Sequence, residues 1–211
     1  PSIKETIRQV ELAGIKTVIM TGDHRGTATA VAREIGMIID DGNVLDATEL
    51  RVLLDDDLKK RLPMVRVISR VSPLDKMRIV KAFQELGEVV AMTGDGVNDA
   101  PSIKQADIGI AMGSGTEVAR DVADLVLLDD NFETIAASVE EGRQILNNIR
   151  KVLVYLLSSV TDELLLIGGA LIAGLALPLN ALQILWVNFF TDSFHAVAFA
   201  FEKDIDGLVR H

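Results

Sequence analysis

Cysteine is absent from the 211 residues. That excludes a disulfide framework and a thiolate metal centre, and it leaves the redox compartment unmarked. Aromatic residues make up only 4% of the chain, against 49% hydrophobic residues overall, enough for one core of ordinary size. No run of Lys or Arg is long enough to neutralise a phosphate backbone, and the net charge of −10 opposes one, so a nucleic-acid partner is excluded. Most of the acidity reads as solvated surface. An initiator Met and a signal peptide are also missing: the chain opens on Pro1 and runs straight into a helix start, as an excerpt of a longer protein would.

Charge is missing from one long stretch. Between Val152 and Phe201 the only formal charges are Asp162, Glu163 and Asp192. Those roughly fifty residues, at about 1.5 Å each, make roughly 75 Å of helix, enough to cross a hydrocarbon core of about 30 Å twice. A transmembrane hairpin is predicted, with helices over 152–174 and 178–201, a preceding stalk over 132–151 and a tail over 202–211. Arg143 and Arg150-Lys151 form a basic flank of the kind retained on the cytoplasmic side, whereas Gly174 to Asn180 carries no charge. Both ends of the hairpin, and the soluble part, are therefore expected in the cytoplasm, with lipid around the helices.

What is present before that stretch is a phrase said twice. Val18-Ile19-Met20-Thr21-Gly22-Asp23 and Val90-Ala91-Met92-Thr93-Gly94-Asp95 share the pattern V-x-M-T-G-D. Each copy is an apolar run of strand length ending on a hydroxyl, a glycine and a carboxylate. Ligands of open α/β sheets sit beyond the carboxyl ends of the strands, so two such endings side by side would make a polar floor for phosphate and a metal ion.

The rest of residues 1–131 alternates in the same way. Helices are predicted over Ile3 to Ala13 (behind the capping-box spacing Ser2-Ile3-Lys4-Glu5), Thr27 to Ile35, Leu74 to Leu86 behind Ser72-Pro73, and about Thr116 to Ala123. Strands are predicted over Lys16 to Met20, Val65 to Ile68, Val89 to Met92, Ile108 to Met112 and Leu125 to Leu128. The acidic stretch Asp40 to Asp57 reads as an exposed excursion with short helices. Such alternation implies βαβ units and a parallel sheet. From Phe132 onward no signal ends a helix before Gly168-Gly169 or Gly174.

The second copy continues as Gly96-Val97-Asn98-Asp99-Ala100-Pro101, then Lys104 and Ala106-Asp107-Ile108-Gly109-Ile110-Ala111-Met112-Gly113. This run resembles the hinge and magnesium-binding signature of P-type cation-transporting ATPases, pumps whose phosphorylation domain is of the haloacid-dehalogenase type. The resemblance implies that Asp95 coordinates Mg²⁺, with Asn98 and Asp99 organising the shell. An exposed carboxylate at a strand end suits Mg²⁺; Asn98-Asp99 would equally cap the following helix. Thr21-Gly22-Asp23 is similar to the family's phosphate-binding element, although a T-G-D tripeptide alone serves turns as well. Arg70-Val71-Ser72-Pro73-Leu74-Asp75-Lys76 resembles the segment whose lysine, here Lys76, neutralises phosphoryl oxygens and whose arginine, here Arg70, reaches the nucleotide. Without the family, Lys76 would be a solvated helix lysine. Phosphoryl transfer depends on positioning and cations more than on covalent chemistry from the protein, which suits Lys76 beside Mg²⁺ and ATP.

The apolar part also resembles the family. Asn147-Asn148-Ile149 through Tyr155-Leu156-Leu157-Ser158-Ser159, then Leu185-Trp186-Val187-Asn188-Phe189-Phe190-Thr191-Asp192, are similar to the fifth and sixth transmembrane helices of the calcium-pump-like subgroup. Asn188, Thr191 and Asp192 share one helix face at i, i+3 and i+4. Glu163 matches the carboxylate of the first of these helices. A carboxylate at mid-bilayer costs about 2.5–3.5 kcal/mol and marks ion pathways; the bland alternative for Asp162 and Glu163 is a helix-end or helix-pairing role. Three positions depart from the subgroup: Val160 stands where Asn is usual, Asp162 where Gly is, and His195 where Pro is. The transported-cation set is thus Glu163, Asn188, Thr191 and Asp192, extended by Asp162 and His195, with Ca²⁺ favoured over Mg²⁺, Mn²⁺, Na⁺, K⁺ or H⁺.

One family element is lacking. The Asp-Lys-Thr-Gly-Thr loop that carries the phosphorylated aspartate occurs nowhere in the chain. The fold implied is α/β, a Rossmann-like parallel sheet of the haloacid-dehalogenase type missing its nucleophile strand, followed by a long helix and the hairpin. The remaining domains and helices of a pump are the implied partners, and the chain alone is expected to turn over no ATP. Three rivals stand: a soluble phosphatase of the same superfold, a response-regulator receiver, and a short non-catalytic membrane protein that binds Mg²⁺ and phosphate to regulate.

Overall fold

The computed structural model describes residues 3–201. Strand and helix alternate through α1 (Ile3–Leu12), β1 (Ile19–Met20), α2 (Arg25–Glu34), β2 (Val44–Asp46), α3 (Ala47–Val52), α4 (Asp55–Arg61), β3 (Val67–Ser69), α5 (Pro73–Glu85), β4 (Ala91–Gly94), α6 (Ala100–Gln105), β5 (Ile108–Met112), α7 (Glu117–Val122) and β6 (Leu125–Leu127). Two long helices follow, α8 (Phe132–Ile172) and α9 (Ala181–Ala200). The chain divides after Ala136 into two compact units. Ser2 of the first capping box and the tail over 202–211 lie outside the described residues.

All strand pairing in the first unit is parallel, as the alternation predicts. The ladders fall into two sets of three, ordered β1-β3-β2 and β4-β5-β6. β1 and β4, the two strands that carry V-x-M-T-G-D, are therefore each an edge of their own ladder. Their hydrophobic sides nevertheless meet: Met20 packs against the cluster that contains Met92, Val80, Ile103, Ala111 and Ala119. The matching methionines of the two copies thus share one core, and this places the T-G-D endings in one region.

The acidic stretch holds the expected short helices, α3 and α4, and most of its residues are exposed, but it also carries a buried strand. That strand is β2, whose three residues are all buried, and Leu45, Leu50, Leu58 and Leu62 are fully enclosed in the first core cluster with Ile68 and Ile79. The aspartates that suggest solvent do local work instead. Asp40 closes a capping box with Asn43, and Asp46 caps α3 by accepting from Thr48. β1 is shorter than the predicted strand because the chain before Ile19 is held by side chains: Lys16 Nζ donates to the carbonyls of Leu62 and Pro63, and Arg66 Nε donates to Thr17 O.

α5 starts where the sequence places it. Ser72 accepts from the Asp75 amide, Asp75 accepts from the Ser72 amide, and Pro73 fills the first turn, a capping box that satisfies two donors at once. α8 begins at the end of the first unit, runs uninterrupted for 41 residues and ends before Gly174, which takes φ +67, the left-handed conformation glycine adopts freely. Among the described residues α8 is the one helix long and apolar enough to cross a membrane by length and composition. α9 begins at a second capping box, between Asn180 and Gln183.

Candidate functional site

The first T-G-D sits just past β1. The Thr21 hydroxyl donates to Asp23 Oδ2 and accepts the Asp23 amide, both at 3.1 Å, so the turn is closed by its own side chains. Its backbone is fixed from β3. The Arg70 amide donates to Asp23 O and the Val71 amide to Thr21 O, two successive bonds made possible by the left-handed φ of 56° at Arg70. A Cβ on Gly22 would meet nothing within 4 Å, so this glycine borders open space.

Arg70 does not extend outward to a nucleotide in this structure. Its guanidinium lies against His24, with Nη2 2.6 Å from Nδ1, and 3.8 Å from Asp46. Asp46 in turn accepts from Ser69 Oγ at 3.0 Å. The Thr48 amide and hydroxyl, then Ser69 and the Arg70 charge, hold the Asp46 carboxyl below the usual carboxylate range against the opposing effect of burial. Sequence reasoning passed over His24; a histidine directly after T-G-D was the available signal.

The second T-G-D is built differently. A Cβ on Gly94 would lie 2.4 Å from Asp99 Cβ and 2.9 Å from its Oδ2, so here glycine is demanded by the side chain packed over it. Asp99 stands at the N-cap position of α6 without capping it. Its carboxylate instead takes Lys76 Nζ at 2.5 Å, with both side chains close to buried at 14% and 12% exposure. The residue of the phosphate reading and a residue of the metal reading are thus one ion pair. Asp95 and Asn98 are exposed, and the Asp95 carboxylate has no hydrogen bond or ion pair among the described residues.

That donor set suits Mg²⁺. The ion is held in most phosphoryl-transfer sites by one or two carboxylates, the remainder of its octahedron being water and substrate phosphate. One free carboxylate at Asp95, with Asp99 charge-compensated behind it, leaves those positions open. No cluster of three or more metal-ligating side chains exists among the described residues, which argues against a closed structural metal cage.

The second unit brings together two predicted ligands. Asn188 Nδ2 on α9 donates to Glu163 Oε2 on α8 at 3.3 Å, and Asn188 Oδ1 is buried without a partner among the described residues. Thr191, half-buried, lies one turn along from Asn188. His195 turns elsewhere: its Nδ1 donates to Thr191 O at 2.7 Å and its ring stacks on Tyr155 with centroids 5.0 Å apart. Asp162 is exposed. Asp192 belongs to α9, and its side chain lies outside what the structure describes.

Family profiles match both parts of the chain. A haloacid dehalogenase-like hydrolase family profile matches residues 1–107, a second profile of the same description matches 77–138, and one described as cation transporting ATPase, C-terminus, matches 176–211. The chain is 48% identical to a calcium-transporting ATPase of Bacillus subtilis (strain 168), over 96% of its own length and 23% of that protein's. It is 46% identical to calcium-transporting ATPase 1 of Yarrowia lipolytica, over 91% of its own length and 21% of the relative's. Among solved structures, a zinc-transporting PIB-type ATPase in its E2.Pi state superposes with a TM-score of 0.66 at 28% identity, covering 93% of this chain and 26% of that one. The chain therefore spans about a quarter of the length of the proteins it matches.

Proposed function

We propose that this chain, which belongs to the haloacid dehalogenase-like hydrolases, is part of an ATP-driven Ca²⁺ pump and supplies its phosphate and Mg²⁺ pocket and half of its membrane cation site. The observation that carries the transport reading is the contact between Glu163 and Asn188, with Asn188 Oδ1 buried and without a partner among the described residues. A buried polar atom without a partner costs about 1–3 kcal/mol. A cation between two helices would satisfy it. Ca²⁺ takes six to eight oxygens, so Glu163, Asn188, Thr191 and Asp192 form part of a shell that other helices complete. His195, already engaged with Thr191 O and Tyr155, is left out of that set, as is exposed Asp162.

In the soluble unit the Thr21 hydroxyl and the backbone amides after β1 receive the phosphoryl group, and Lys76 offers positive charge to its oxygens. Asp95 holds Mg²⁺, with Asn98 and Asp99 shaping its surroundings; the ion would neutralise charge on the transferring group. The nucleophile is an aspartate from an Asp-Lys-Thr-Gly-Thr loop, which these 211 residues lack, and it would form the phospho-aspartate beside Thr21 and Asp95. For Arg70 to reach ATP, its guanidinium must leave His24. α8 and α9 cross the bilayer as a hairpin, with the α/β unit in the cytoplasm.

The test is Asp192→Asn in the full-length protein that contains this chain. ATP-driven Ca²⁺ uptake into vesicles should be lost, while phosphorylation by inorganic phosphate persists. Unchanged uptake would remove Asp192 from the cation site.

A further inference from the structure

We propose that Gly115 and Thr116 are positioning residues for Asp95, an inference that rests on reading Asp95 as the Mg²⁺ ligand. β4 ends at Gly94, paired with Ala111, so the ladder does not hold Asp95. What holds it is a loop from the far end of β5. The Thr116 amide donates to Asp95 O at 2.8 Å, and Gly115 packs so closely that an added Cβ would stand 2.9 Å from Asp95 O and 3.2 Å from its Cα. The same Cβ would stand 2.9 Å from Met112 O, so no side chain fits at 115 unless the Asp95 backbone and the end of β5 both give way.

The loop can impose this geometry because it is anchored on its other side. Gly113 N donates to Leu127 O at 2.8 Å, Ser114 N donates to Asp130 Oδ1 at 3.0 Å, and Arg120 Nη1 donates to Gly113 O at 3.3 Å. Asp130 itself adopts a left-handed φ of 52° two residues before α8. Hydrogen bonds and close contacts therefore run from the Asp130 side chain in the turn that precedes the long helix, through Ser114, Gly115 and Thr116, to the residue whose carboxylate is free. Outer contacts that orient a ligand in this way set metal affinity as strongly as many ligands do.

A loop that merely packs would make no difference to the metal. Two substitutions at one position separate the cases. Thr116 has φ −63°, the angle proline imposes, so Thr116→Pro suits the loop's own φ while it deletes the N–H and sets the ring Cδ where that hydrogen met Asp95 O, which pushes the Asp95 backbone away. Thr116→Ala keeps the N–H and loses only the hydroxyl bond to the Ala119 amide.

Mn²⁺ is titrated into the isotopically labelled 211-residue chain in lipid nanodiscs, and paramagnetic broadening of the Gly96, Val97 and Asn98 amides gives the apparent affinity, with Mg²⁺ as competitor. Asp95→Ala should abolish the broadening. Thr116→Pro should weaken binding by about 10- to 100-fold, while Thr116→Ala stays close to the unsubstituted chain. Gly115→Ala, measured in parallel, should weaken it like Thr116→Pro, with amide shifts confined to the Asp95 segment and to the end of β5 around Met112. Asp95-dependent binding that neither Thr116→Pro nor Gly115→Ala weakens would overturn the positioning role and leave the Mg²⁺ reading intact. Broadening absent from the unsubstituted chain, or unaffected by Asp95→Ala, would overturn both.

Discussion

Lys76 Nζ and Asp99 Oδ1 lie 2.5 Å apart, joining the first turn of α5 to the segment between β4 and α6. Removing one partner of a buried ion pair strands the other charge and costs roughly 3–5 kcal/mol, whereas removing both together can be close to neutral. Lys76→Met should therefore lower the thermal midpoint of the α/β unit markedly, and the double change Lys76→Met with Asp99→Leu should restore most of it. Calorimetry of the four chains checks this. Additive losses would mean that the pair carries no coupling.

The two glycines of the repeated phrase should respond differently to the same methyl group. Gly94→Ala must displace the Asp99 side chain, and overpacking of this kind costs about 1–3 kcal/mol or more. Gly22→Ala meets nothing within 4 Å and should leave the unfolding midpoint unchanged while weakening binding of inorganic phosphate. Chemical denaturation paired with phosphate titration distinguishes the two; equal destabilisation would contradict the asymmetry of the endings.

Acid should destabilise the α/β unit through Asp46 and Asp75. Burial pushes the Asp75 carboxyl up, but the Arg51 side chain and the Ser72 amide and hydroxyl outweigh it and leave it lowered; Asp46 is lowered chiefly by Thr48. A carboxyl lowered in the folded state contributes stability that is full above its unfolded pKa, about 3.9, and is lost as pH falls through the folded value. Denaturation midpoints should be flat near neutrality and fall below about pH 4. Asp46→Asn with Asp75→Asn should be less stable at neutral pH and show a shallower acid slope; an unchanged slope would contradict the assignment.

The alternation of elements, the parallel class and the start of α5 were legible in the sequence, because each has a local cause: apolar runs, turn residues, Ser72 and Pro73. β2 was not. Val44-Leu45-Asp46 is too short to show a period, and the surrounding aspartates look like solvent although Asp40 and Asp46 are spent on local amides. The spacing of Leu50, Leu58 and Leu62 was the overlooked sign of a buried face. At the site, Asp95 and Asp99 were legible from their motif, but the Lys76 pairing depends on how α5 packs against the β4 side, and the Gly115 contact on a loop distant in sequence. Tertiary approach of this kind has no local signature. The contact between Glu163 and Asn188 is likewise set by the packing of α8 on α9, which helical periodicity within either segment does not specify.

If the proposed cation site at Glu163 and Asn188 belongs to the same pump as the phosphate pocket, occupancy of one site changes the other. In the full-length protein that contains these residues, phosphoenzyme formed from inorganic phosphate in the presence of Mg²⁺ is measured with and without Ca²⁺. Two sites of one pump are linked by a coupling free energy, typically about 1–3 kcal/mol, so Ca²⁺ should shift the phosphoenzyme level in the unsubstituted protein and fail to shift it in Glu163→Gln. The same Ca²⁺ response in both proteins would contradict the placement of the cation at Glu163 and Asn188.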